Sequence, residues 1–482
     1  MSDVTTKGGS LGASYQGYAG LPPLVGLHSM EEVMRQGLTV KEAVDRLKRL
    51  HFSLKRLHHI FVARIASMPI YELKMAFSLH SHYCAEHVAA LADRVREMRQ
   101  PPHGLEVSPD PSLDVFFDEI EAAPGTSSLI TGLYLVAVPA VRAAFEQLQA
   151  ATNRLFDHPT YRVCRHALLE MEEIDQYGKE AVRCLLSADD RSSLAAWVST
   201  LERLLAAAGA LDGTGTPTGA EIERVFSAVP FQYDGVPQRD ERFQDSYNMG
   251  VNAEAFLFDP DIEPLPKSIM LYFKRMREID VPEVMSSILT ETSGKPWAYY
   301  RDMTRQLWDE ARHAMMGEVG FTSLDIDWRN VPLNFTWSLG LNTKLTPIER
   351  HAVLYTIEQG LMPKKNGKEY EWQVALATAS RLSAIIQDYD WADEVLHARI
   401  GREWLVPEVG SQTKALAYGD EAWSRVTVDW AKWRADGLTE HRNWWPQIYS
   451  AACRHWGLEP RPELLAYSTT YEGTRADMKV TG

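Results

Sequence analysis

"LWDEARHAMMGEVGF" (Leu307–Phe321) and "WADEVLHARIGREWL" (Trp391–Leu405) carry one frame, Asp-Glu-x-x-His-Ala-x-x-Gly, twice in the same chain. Residues i and i+3 share a helix face. Glu310 with His313, and Glu394 with His397, therefore each aim one carboxylate and one imidazole at a common point. A single pair of this kind is ordinary solvated surface. Two pairs in the same frame are different, because an exposed charged face has no reason to keep an alanine after each histidine and a glycine (Gly317, Gly401) four residues after it. The repeat predicts a duplicated helical hairpin, with each glycine admitting a neighbouring helix.

Helical bundles that hold two metal ions take one glutamate from each of two helices and a Glu-x-x-His from each of the other two. One further glutamate is thus expected upstream of each frame. For the first, the helices flank a turn at "SGKP" (Ser293–Pro296). Glu283 lies about twelve residues before that turn and Glu310 about fifteen after it, so at about 1.5 Å per residue their heights agree to roughly one helical turn. Glu291 would miss by about 15–20 Å on the same arithmetic. Glu283 also closes an expected capping box in "DVPE", with Asp280 as N-cap. For the second frame, "YTIEQGLMP" offers Glu358, with Gly360 and Pro363 ending its helix. A simple hairpin turned at "PKKNG" (363–367) would put Glu358 and Glu394 at different heights. Glu358 therefore requires an irregular link over about 363–379 and a last helix starting near Ser380; Glu349 is the alternative.

Outward from the frames, helical periodicity dominates and strand-like alternation is scarce, so the fold class is all-α. Residues 1–38 read as an N-terminal arm. Residues 39–208 read as a helical bundle of about four main helices, the second stopping before Pro101 and Pro102 and the last two split at "DHPT". Residues 209–266, rich in Gly, Pro, Thr and Asp, read as an irregular connector. The dimetal domain is expected at 267–406, where "TPIE" (Thr346–Glu349) is a second capping box, and a Trp-rich tail at 407–482 is expected to pack on it. The N-terminal bundle looks like a degenerate copy: Glu146 precedes Glu172-x-x-Asp175, and His80, His82 and Glu86-His87 sit on an earlier helix. Adjacent Glu86 and His87 cannot share a helix face, so this bundle is expected to hold no metal.

The 482 residues suit two or three domains, and a net charge of −15 argues against a nucleic-acid surface. Cys84, Cys164, Cys184 and Cys453 show no metal or disulfide spacing and read as reduced, buried thiols. No signal peptide is visible, and the most apolar run, Leu129–Val141, is short for a bilayer and carries a proline. A cytoplasmic protein without membrane association is expected, with homodimerisation open.

The order Glu, Glu-x-x-His, long crossover, Glu, Glu-x-x-His resembles the ferritin-like superfamily. "WAYYRD" (Trp297–Asp302) leading into "DEARHAMMGE", then "IEQGLM" and "DEVLHARIG", resemble an uncharacterised ferritin-like domain family related to di-iron hydroxylases that modify tRNA. The likeness covers about residues 270–405. It implies a ferritin-like four-helix bundle in the C-terminal half, with Glu283, Glu310, His313, Glu358, Glu394 and His397 as ligands of two metal ions. It also implies that Asp309 and Asp393 hydrogen-bond ligand histidines. A carboxylate-rich set without thiolates favours redox-active iron over zinc, as a di-iron or a manganese/iron pair. The function expected from this is an O2-dependent oxidase or oxygenase acting on a small molecule. The alternative is a ferritin-like metal-binding protein without catalysis, for iron handling or as a scaffold. Tyr299, Tyr300 and Tyr355 are expected to serve core packing rather than electron transfer.

Overall fold

The computed structural model describes residues 10–35, 37–99, 104–363, 366–426 and 430–474. Residues 1–9 of the expected arm, Pro101 and Pro102, and Lys364 and Lys365 of the expected turn lie outside them. The described residues are all-helical: no strand forms, and one isolated antiparallel bridge joins Val251 to Thr470. The described residues make two compact units, those within 1–60 and 83–232 and those within 61–82 and 233–482.

The first unit takes parts of α1 (Val40–Ala63) and α2 (Tyr71–Glu97), then α3 (Pro111–Glu121), α4 (Thr126–Ala151), α5 (His158–Leu185) and α6 (Ala188–Ala207). Helices α3 and α6 come in addition to the four read from periodicity. Local chemistry sets the starts of α5 and α6: Asp157 accepts from Thr160 N–H ahead of Pro159, and Ser187 with Asp190 forms a capping box. Helix α4 is long and apolar enough to cross a bilayer by length and composition, but its Leu129, Ile130, Leu133, Tyr134, Val138 and Val141 are buried in the core. That is a core helix. Its stretch Thr131–Ala137 is π-helical. Three of the cysteines are buried thiols as expected; Cys184 is exposed.

The second unit contains α7 (Pro264–Arg277), α8 (Asp280–Glu291), α9 (Trp297–Thr322), α10 (Thr336–Lys344), α11 (Pro347–Gly360), α12 (Lys368–Ala377), α13 (Arg381–Trp404), α14 (Gln412–Ser424) and α15 (Trp445–Trp456). The capping box at Thr346 and Glu349 forms, and Ser380 caps α13 through Ser383 N–H. Two expectations fail. First, the link after Glu358 is not irregular, because residues 368–377 form α12. Second, "DVPE" makes no capping box: Ile279 is the N-cap of α8, with no side-chain bond. Helices α7 and α8 are instead nearly one helix, broken at Glu278–Ile279. Pro282 explains the break, since it has no N–H for the carbonyl four residues back and its ring crowds that carbonyl. That carbonyl is Glu278's, and it accepts from Val281 N–H at 3.0 Å instead. Residues 209–252 are without helix, but the rest of the expected irregular connector is not: Ala253–Leu257 form a short helix and α7 begins at Pro264. From the tail, Trp444 packs on Phe273 (4.7 Å between centroids) and Trp445 on Phe256 (4.5 Å), both indoles fully buried.

Candidate metal centre

Four ligand-bearing segments converge within the second unit. Helix α7 packs on α9, α9 on α13, and α13 on α11. The two repeated glycines make this approach possible. A Cβ on Gly317 would lie 2.4 Å from Met276 N and 2.8 Å from Tyr272 O, both backbone atoms of α7. A Cβ on Gly401 would lie 2.4 Å from the Tyr355 ring on α11. Each glycine thus admits the helix that delivers the glutamate paired with its frame.

The side chains meet in two groups. Glu310, Glu358, Glu394 and His397 form one, and Glu278, His313, Asp390 and Glu394 the other; within each, one ligand atom per residue lies within 4.8 Å of the rest. Either group can hold a metal ion. Glu394 belongs to both. Glu310 also faces both ways, with Oε1 at 3.2 Å from His397 Nδ1 and Oε2 at 3.4 Å from His313 Nδ1. The imidazoles are 5.9 Å apart between centroids. A carboxylate with one oxygen toward each of two imidazoles, and another shared by both groups, joins the two groups into one cluster.

The far side of each imidazole is tied. His313 Nε2 meets Asp393 Oδ2 at 3.2 Å, and His397 Nε2 meets Asp309 Oδ2 at 3.4 Å. These are the expected aspartate–histidine bonds, and they cross: each aspartate serves the histidine of the other frame. With Nε2–H donating to carboxylate, loss of the second proton would leave Nδ1 as the lone-pair nitrogen, facing inward. Arg312 donates to both aspartates, and Arg305 Nε to Asp309 at 2.9 Å. Inside the cluster, His313 Nδ1, His397 Nδ1 and one oxygen each of Glu278, Glu358 and Glu394 are buried without a hydrogen-bond partner. Orphaned buried polar atoms are costly and rare. Five converging on one place fit a cation site.

The electrostatics agree. Burial opposes a charged His313, yet the carboxylates of Asp393, Glu278 and Glu310 around it outweigh burial and raise the imidazole to about 10. His397 is raised likewise against burial by Asp309, Glu310 and Glu394. Burial, then the neighbouring Glu394, pushes Glu358 well above the carboxylate range. The cluster is short of positive charge and holds protons to make up for it. On the Glu278 side two protein cations are already present. Lys368 Nζ lies 2.8 Å from Glu394, 2.9 Å from Asp390 and 3.6 Å from Glu278. Arg275 pairs with Asp390 and, at 2.9 Å, with Glu278. Despite burial these cations hold Glu278 at about 2.

Glu310, His313, Glu358, Glu394 and His397 are thus brought together. Glu283 is not. It lies in a separate buried cluster, taking Arg239 Nε at 2.9 Å, Ser338 Oγ at 2.7 Å and Lys74, which despite burial hold its carboxyl at about 2. Glu278 stands where Glu283 was expected. The signal was available: Glu278 and Glu310 lie sixteen residues either side of Gly294, the middle of the turn. The supposed capping box at Asp280 hid it by ending the helix too early. Asp390, one turn before Glu394, was readable from helical spacing. Lys368 and Arg275 had no sequence signal. Lys368 reaches the cluster because Gly367 lets the loop fold so tightly that a Cβ there would lie 2.1 Å from Leu361 O.

Other candidates resolve into structural roles. Arg142 sits among Asp175 (2.7 Å), Glu172 (2.5 Å) and Glu146 (3.1 Å), so a guanidinium occupies the centre of the supposed degenerate site. His87 pairs with Glu170 at 2.6 Å. Tyr300 donates to Thr292 O, Tyr299 packs on Trp404, and Tyr355 fills the space over Gly401.

A cavity of about 440 Å³ adjoins the cluster, its wall including Arg275, Glu278 and Lys368. The chain matches no protein-family model, no curated protein and no solved structure.

Proposed function

We propose that the cluster is a dinuclear metal centre of the ferritin-like kind and that the protein is an O2-dependent oxidase or oxygenase acting on a small molecule. The observation that carries this reading is the set of five inward-facing orphaned atoms, with the outer nitrogen of both imidazoles already tied to aspartate. Glu358 and His397 would hold one ion, and Glu278 and His313 the other, with Glu310 and Glu394 between them. Carboxylate and imidazole donors without thiolate favour iron, or manganese with iron, which when bound supplies the electrons for reducing O2. The chain's own contribution is orientation: the crossed aspartates fix the tautomers, and Arg312 fixes the aspartates. The adjoining cavity supplies room for a substrate beside the ligands.

Anaerobic titration with ferrous iron followed by exposure to oxygen tests the proposal. Two ions per chain and oxygen uptake coupled to iron oxidation are expected. A chain that binds no iron, or retains a redox-inert metal and consumes no oxygen, would defeat it. A second reading, one structural ion without catalysis, is favoured by Lys368 and Arg275, which already neutralise the Glu278 group. Saturation at one ion by Glu310, Glu358, Glu394 and His397 would establish that reading.

A further inference from the structure

The cavity beside the cluster has a mixed lining of charged and apolar side chains. Trp337, Ile357, Leu361 and Trp423 line it, the two indoles 5.9 Å apart between centroids. Four cations also line it, and three are neutralised: Arg275 and Lys368 by the cluster's carboxylates, and Lys274 by Glu371. Arg277 is the exception. Among the described residues no carboxylate lies within ion-pair distance of it; Glu254 and Asp280 act on it from farther off, Glu254 through the Tyr471 hydroxyl, which donates to Glu254 and accepts from Arg277. Its hydrogen bond is to the Tyr471 hydroxyl at 2.6 Å, and its guanidinium lies over the Phe273 and Tyr471 rings at 5.5 and 5.1 Å. On the same lining, the buried Trp337 indole N–H has no acceptor.

A guanidinium held over aromatic rings keeps most of its in-plane N–H donors free for a planar bidentate acceptor. We infer that the cavity takes a monoanionic amphipathic organic acid, its carboxylate on Arg277 and its hydrocarbon body along the tryptophan, isoleucine and leucine walls. A second negative charge is disfavoured because Glu254, Glu278 and Asp280 share the lining. The walls also include Glu278 and Lys368, so the acid shares its cavity with the cluster's edge. That the acid is a substrate rests on the metal-centre reading; that it binds does not.

Isothermal titration of the full-length chain, metal-free and iron-loaded, with decanoate, decan-1-ol and decylamine tests the inference. Decanoate should bind about tenfold more tightly than the alcohol, the worth of one charge-assisted pair. Arg277→Gln should bring decanoate to the level of the alcohol while leaving iron stoichiometry unchanged. Equal binding of alcohol and acid, tighter binding of the amine, or an unchanged decanoate affinity in Arg277→Gln would overturn it. The headgroup series on the unaltered chain decides the matter even if the variant does not fold. Acid binding by a chain that takes up no iron would overturn the metal reading and leave the acid site standing.

Discussion

Glu278 and Glu283 are five residues apart, both carboxylates of ordinary type, and their surroundings give them opposite work. Glu283 is fully enclosed by Lys74, Arg239 and Ser338, and every charge near it is answered. Removing its charge by Glu283→Gln strands the buried Lys74, while Arg239 keeps Asp280, and should cost about 3–5 kcal/mol of stability in denaturant titrations, with iron stoichiometry retained. Glu278→Gln should do the reverse, losing one ion with a small change in midpoint. The opposite pattern would return Glu283 to the ligand set. His313 and His397 offer a sharper test, since they share the carboxylate between them. Replacing either by alanine should abolish oxygen uptake, and replacing both should add little, because residues that act as one unit are not additive. Full oxygen uptake with two ions bound in both single variants would reduce the repeat to a packing relic. Removing the aspartate behind an imidazole is gentler: Asp393→Ala should weaken iron binding by about 10–100-fold in a competition assay without preventing it.

At the level of helices, the repeated glycines do not have equal weight. A methyl group on Gly317 meets backbone, which cannot swing away, whereas one on Gly401 meets the Tyr355 ring. Gly317→Ala should therefore destabilise by about 1–3 kcal/mol and Gly401→Ala by less, measured as denaturant midpoints. Equal losses would mean that α7 yields as readily as a side chain. The all-α class, the capping box at Thr346, the start of α13 at Ser380 and the close approach at both glycines were legible, because each depends on residues near in sequence. The break between α7 and α8 was misread for an instructive reason. An aspartate, a proline and a glutamate at capping spacing look the same whether they open a helix or bend one. Only the partners of Asp280 and Glu283, Arg239 and Lys74, decide between the two, and they come from far along the chain. Lys368 lay beyond reach for the same cause, since its place depends on how the loop before α12 closes.

Over the whole molecule, the buried histidines divide into two kinds. His313 and His397 gain protons from their carboxylates, while His51 is depressed to about 4, by burial first and then by Lys55. A folded-state value below the unfolded one, near 6.5, means the unfolded chain binds more protons between those limits. The contribution of His51 is therefore complete above about pH 6.5 and is lost as pH falls towards 4. His51→Leu should flatten the stability profile by about 2 kcal/mol between pH 7 and 5, judged from urea midpoints. Parallel profiles would show that His51 is solvated in the folded state. The crossed bonds at the candidate metal centre bear on the chain's organisation as well. His313 is oriented by an aspartate 80 residues away and His397 by one 88 residues away, in each case from the opposite frame. A hairpin with a single frame has nothing to orient its own imidazole, and would have to meet a second molecule across a two-fold axis to acquire it. The two frames are thus obligate halves, fused end to end, and neither could be inherited or lost alone without leaving the other's histidine free to turn.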